Sequence, residues 1–171
     1  MTILKSGRRE IGSAAARSRV ASGLAALDEF SFWTVPVDDR TPGDLIVVGS
    51  TGAFVVAACD LAGPVSTAWG TPTVGGYTIP GLRGMRGAAR RVRSTLGTAT
   101  VFTDVEPMIC LTEAIMGPPM TVKGVRILHV RDLARDLSAR PRALEQGRAQ
   151  RGARALGMKL AGDHKRHFTT G

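Results

Sequence analysis

Apolar positions along this chain follow two periods. Ala16, Val20, Leu24 and Leu27 recur at spacings of four, four and three, one side of a helix, and Ser13 stands where an N-cap belongs. Met85, Ala88, Ala89, Val92 and Leu96 make a second helical stripe. Ala149, Ala153, Leu156 and Leu160 make a third, in a helix from about Leu144 to Ala161. Between these helices, Phe30–Val37, Leu45–Val48, Ala53–Ala58, Pro107–Thr112 and Val122–Val130 are short runs rich in β-branched and aromatic residues, and they read as strands. Pro36 places the first of them near a sheet edge. Leu45–Val48 and Ala53–Ala58 are joined by a turn drawn from Gly49, Ser50, Thr51 and Gly52, which predicts a hairpin in the middle of the sheet. Gly63–Gly81 mixes Val, Trp, Thr and Tyr with glycine and proline, and predicts two or three short strands. Asp132–Ala139 reads as a short helix with Leu133 and Leu137 inward, broken by Pro141.

This order favours a mixed central sheet flanked by helices, of the α/β or α+β class. The 171 residues suit one domain. It is predicted over 13–161, with a basic arm at 1–12 and a flexible basic tail at 162–171. The longest apolar run is the seven residues Ala53–Cys59, far short of the ~20 needed to span a bilayer, and the N-terminus lacks the apolar stretch of a signal peptide. The expectation is a cytoplasmic protein with no membrane span. Cys59 and Cys110 each lie in an apolar run and read as buried, reduced thiols.

Charge adds a partner class. The formal net charge is +9; residues 1–27 carry +4, residues 140–171 carry +6, and the stretch between them −1. Clustered Lys and Arg are the footprint of polyanion binding, whether the polyanion is a nucleic acid, an acidic protein or an acidic membrane surface. Arg83, Arg86, Arg90 and Arg93, spaced three, four and three, line one side of the second helix, and Arg148, Arg151 and Arg154 lie on the last. Guanidinium forks at such spacing suit phosphate contact.

Other chemistry-bearing residues carry less. Trp69 and Tyr77 are expected to cover core. His129 reads as structural, and His164 with His167, three residues apart, is the one His pair at metal-ligand spacing. No Walker A loop, G-x-S-x-G elbow or Cys/His zinc pattern occurs.

The stretch DLIVVGSTGAFVVAAC, Asp44 to Cys59, preceded by a helix ending in GLAAL and followed by DLAGPV, resembles the nuclease-related domain (NERD) family of the PD-(D/E)XK restriction-endonuclease-like superfamily. PMICLTEA and VKGVRILHVRDLARDLSARPRAL are similar to its second half, so the resemblance runs from about Val20 to Leu144. It implies a restriction-endonuclease-like sheet and a metal-dependent nuclease core. There, an Asp opens the first hairpin strand, and an acid, any residue, then Lys closes the second. Two acids on neighbouring strands would hold Mg²⁺ or Mn²⁺ through hard oxygen ligands, and the Lys would help orient the attacking water. Asp44 matches the first acid, Ala57 stands at the second and Cys59 at the Lys. The reading favoured by the sequence is thus a catalytically inactive nuclease-like protein that binds nucleic acid through basic helices and termini. Two others stay open: an endonuclease that retains Asp44 with an acid supplied by Asp60, Asp38, Asp39 or Glu29, and a structural or protein-interaction module.

Overall fold

In the computed structural model, residues 12–28, 31–37 and 43–165 are described. Among these residues the architecture is mixed α/β, with four α-helices and two mixed sheets. Helix α1 (Ala14–Leu24) starts at Ser13, whose hydroxyl accepts the Ala16 N–H at 3.2 Å, and it buries Ala16, Val20 and Leu24. It ends three residues before Leu27. Strand β1 (Phe32–Pro36) is an edge, as Pro36 requires, and β2 (Leu45–Gly49) and β3 (Gly52–Cys59) form the predicted hairpin.

The large sheet has the order β1-β2-β3-β7-β10-β9, where β7 is Val105–Leu111, β9 Met120–Val122 and β10 Val125–His129. β3 runs parallel to β7 and β7 to β10, while the other neighbours are antiparallel. The middle of the sheet is therefore β3–β7, one strand over from the hairpin. All eight residues of β3 are buried, the mark of a strand covered on both faces, and this is why its apolar run is unbroken.

One correction concerns a turn. Val122–Val130 is not one strand but the β9–β10 hairpin, because Lys123 (φ 52°) and Gly124 (φ 76°) are both left-handed, as a two-residue primed turn demands. Lysine at the first of these positions hides the turn from a sequence reading. Gly63–Gly81 gives the three strands β4 (Gly63–Ala68), β5 (Thr71–Val74) and β6 (Tyr77–Thr78). They form a second sheet, ordered β6-β5-β4-β8, with β8 at Ala114–Ile115.

Helices α2 (Leu82–Thr98) and α4 (Gln146–Lys165) cover one face of the large sheet; α1 and α3 (Leu133–Ser138) cover the other. The first core joins Ile46, Val55, Ala57, Cys59, Ile109 and Ile127 to Met85, Val92 and Leu96 of α2 and Ala149 and Leu156 of α4. The second joins Val47, Phe54, Val56, Ala58, Met108 and Cys110 to Val20, Leu24, Leu133 and Leu137. α4 crosses α2 at Gly152, where an added Cβ would lie 2.8 Å from Leu96 Cδ2, and Lys159 Nζ donates to Thr95 Oγ1 at 3.0 Å beside it. α4 also runs on to Lys165, into the stretch predicted as a tail. No helix among the described residues is long and apolar enough to cross a membrane.

Candidate functional site

Asp44 immediately precedes β2. Its backbone N–H donates to Val56 O at 2.8 Å, and the Leu45–Val56 pairing, extended by one, sets it opposite Ala57. The side chain does something other than the resemblance implies. Because β2 begins only at Leu45, β3 has no ladder partner for the N–H of Ala58, and Asp44 Oδ2 accepts that N–H at 2.6 Å. Arg17 of α1 stands 3.8 Å from Oδ1. The carboxylate thus closes the end of the ladder, with only 14% of the side chain exposed.

Ala57 and Cys59 have no accessible surface and belong to the core under α2 and α4. Met85 packs into the same core, and its sulfur approaches the Gly43 that precedes the acid. Asp60 is exposed and turned toward α1, where its Oδ2 accepts the Ser13 N–H at 3.2 Å. Hydrogen bonds from Ser13 hold its carboxyl below the ordinary range. It caps a helix, away from positions 57 and 59, as strand alternation predicts. The side chains of Glu29, Asp38, Asp39, His164 and His167, and the arm over residues 1–11, lie outside the described residues. Among the described residues no three His, Cys, Asp or Glu side chains gather as metal ligands. A methyl group and a buried thiol offer Mg²⁺ or Mn²⁺ no hard oxygen, so the residues at Asp44, Ala57 and Cys59 do not fit the ion.

The two thiols are buried and unbonded, and they sit on opposite faces of the sheet, Cys59 in one core and Cys110 in the other. Burial pushes both above the ordinary thiol range. His129 is structural: its Nδ1 accepts the Arg131 N–H at 3.2 Å, and burial, then the charge of Arg131, holds its imidazole below the usual value. Trp69 and Tyr77 do not cover core. Trp69 sits in the β4–β5 turn with φ 53° and is fully exposed; Tyr77 lies on the edge strand of the small sheet and is largely exposed.

The arginines divide by face. Toward α1 and α3, Arg17, Arg19, Arg126, Arg131, Arg135 and Arg140 each have a carboxylate within ion-pair distance. The densest group is one that sequence reasoning missed. Asp136 accepts from Arg126 at 2.5 Å and Arg140 at 2.9 Å, Arg140 also pairs with Glu106, and its guanidinium lies 5.0 Å from the Phe54 ring centroid. Only the i, i+4 pair Asp136–Arg140 was visible as a local signal.

Toward solvent from α2 and α4, the pattern reverses. α2 begins at Leu82, so Arg83 joins Arg86, Arg90 and Arg93 in one exposed stripe, with Arg91 also exposed beside it. Arg148, Arg151 and Arg154 are exposed on α4. Arg93 has Asp104 at 3.5 Å and Arg148 has Glu145 at 3.9 Å. Among the described residues, no carboxylate pairs with Arg83, Arg86, Arg90, Arg151 or Arg154. The first turn of α2 carries no acid and no side-chain cap. The two sets do not merge into one stripe: Arg86 lies beside Gly124 of the β9–β10 turn, while Arg151 and Arg154 stand over β1 at the other edge. Five interstrand gaps separate β1 from β9, roughly 24 Å.

Scanned against protein-family models, curated proteins and solved structures, the chain matches none.

Proposed function

We propose that this chain is a non-catalytic nucleic-acid-binding module built on a nuclease-like scaffold. The observation that carries the reading is the split between its arginines. Those on the α1/α3 side are neutralised by carboxylates, whereas those on the outer side of α2 and α4 are, among the described residues, largely without a carboxylate partner. Unpaired guanidinium groups along a helix suit phosphate oxygens and release counterions on binding. The nuclease-like scaffold is supported by the sequence resemblance and by the order of helix, three antiparallel strands, helix and a further strand parallel to β3, with the small-sheet strands β4–β6 inserted between β3 and α2 and Asp44 opposite Ala57. The absence of catalysis is supported by Asp44 acting as a ladder cap and by Ala57 and Cys59 serving as core.

The test is binding to a labelled duplex, followed by anisotropy as salt is raised from about 50 to 200 mM. Affinity is expected to fall steeply, by about 0.9 in log–log slope per neutralised phosphate, and Arg86→Ala with Arg90→Ala should reduce the slope by about 1.8. Salt-independent binding, or a slope unchanged in the double variant, overturns the reading. Binding of an acidic protein with no nucleic-acid binding would favour an interaction module instead.

A further inference from the structure

The two arginine sets differ in what lies beside them. The α2 stripe is a convex helical surface. Arg151 and Arg154, by contrast, open onto a groove of about 630 Å³ between α4 and the edge strand β1, whose wall carries Trp33 and whose lining, among the described residues, includes Gln150 and no acid. Trp33 is half-buried: it packs against the α2/α4 core and lines the groove. Arg151 and Arg154 are three residues apart on one helix, which sets their Cβ atoms about 5–6 Å apart. Both are exposed, and among the described residues neither has a carboxylate partner.

Two further residues keep the groove open. Gly147 and Gly157 line it, and a Cβ added to either would meet nothing within 4 Å. Packing does not require glycine there, unlike at Gly152. Each glycine instead leaves room between the helix and β1.

An aromatic face recessed beside two unopposed guanidinium groups is the combination that holds unstacked bases and their backbone. A base inside a duplex is stacked above and below, and cannot offer its face to a recessed ring without leaving the helix. We infer that the groove between β1 and α4 is a single-stranded polynucleotide site, in which one unstacked base lies on the Trp33 indole and Arg151 and Arg154 hold the neighbouring phosphates. The inference rests on the nucleic-acid reading and narrows it: the α2 stripe takes any phosphate backbone, while the groove takes only a single strand.

The chain has two tryptophans, and Trp69 is fully exposed, so full-length protein carrying Trp69→Phe retains Trp33 as its sole indole without disturbing packing. This protein is titrated with labelled oligothymidylate of about 20 nucleotides, long enough for a single-strand site, and with a duplex of equal length, while indole emission and probe anisotropy are recorded together. Oligothymidylate is expected to quench Trp33 as it binds, and the duplex to bind without quenching. Gly157→Leu, which fills the groove, should lose about 5- to 150-fold in oligothymidylate affinity, the range one base–aromatic stack supports. It should retain duplex binding and an unreduced melting temperature. Arg151→Ala with Arg154→Ala should weaken the single strand more than the duplex. Oligothymidylate that binds without quenching, or binds Gly157→Leu as well as the parent, overturns the groove site and leaves the α2 surface standing. Failure of both probes to bind overturns the nucleic-acid reading itself.

Discussion

Replacing Asp44 by alanine separates a structural acid from a catalytic one. The N–H of Ala58 is buried at the point where β3 outruns β2, and the Asp44 carboxylate is its acceptor at 2.6 Å. Alanine leaves that donor without its carboxylate acceptor. A buried unsatisfied donor costs about 1–3 kcal/mol, with charge-assisted bonds toward the upper end. Stability near 2–3 kcal/mol lower corresponds, in a chain of 150–250 residues, to a midpoint lower by roughly 4–12 °C. Asp44→Asn keeps an acceptor oxygen in place and should lose less than half as much. Thermal and urea unfolding of the two variants beside the parent measures this directly. A catalytic acid behaves in the opposite way, since its removal relieves electrostatic strain and leaves the fold intact. An unchanged midpoint in Asp44→Ala would refute the capping role. If Mg²⁺-dependent cleavage by the parent also disappeared in that variant, the metal-site reading of Asp44 would return.

Two other measurements follow from the geometry. Burial alone would raise the carboxyl of Asp136, but the hydrogen bonds and charges of Arg126 and Arg140 outweigh it and hold the group below its ordinary value of 3.8. A carboxyl depressed in the folded state adds stability that is fully present above its unfolded value and is lost as pH falls through the folded one. Wild-type stability should therefore drop on acidification below about pH 4, and Asp136→Asn, less stable at pH 7, should show a shallower acid limb; parallel limbs would contradict the assignment. A second measurement concerns the thiols. Cys59 and Cys110, raised by burial and set on opposite faces, should resist alkylation in native protein, react fully in denaturant and form no intramolecular disulfide. Native labelling at the rate of a free thiol is the contrary result.

Features with a local period were legible in the chain. Ala16, Val20 and Leu24, the Met85–Leu96 stripe and Ala149, Ala153 and Leu156 are buried as the helical spacing predicts, and Pro36 does mark an edge. The arginine stripe follows from the same arithmetic, since fixing the inner face of α2 fixes the outer one. What was not legible depends on pairing between distant segments. β3 finds its parallel neighbour β7 only after the small sheet and α2 have intervened, so the centre of the large sheet cannot be read from the hairpin alone. Glu106, Asp136, Arg126 and Arg140 come from β7, β10 and the α3 region, and no spacing along the chain unites them. The groove at Trp33 has the same origin, because only the docking of α4 over β1 sets Arg151 and Arg154 beside the indole.

Packing also decides the outcome of installing an acid and a lysine on β3 by Ala57→Glu with Cys59→Lys. In a working site both side chains must face a cleft that water and metal can enter. Here positions 57 and 59 point into the core closed by Met85, Val92 and Leu96, and neither has any accessible surface. The partner acid is also committed elsewhere, to the Ala58 N–H. Two charges placed in that core would each meet a desolvation cost of several kcal/mol, and their mutual attraction offsets it only where further hydrogen bonds complete both groups. A domain of this size has about 5–15 kcal/mol in all. The double variant is therefore expected to be unfolded or molten at 25 °C by near-ultraviolet circular dichroism, whether or not Mg²⁺ is added. A folded variant that cleaves DNA in the presence of Mg²⁺ would show that α2 can lift from this face, and that the face is a closed cleft rather than a core.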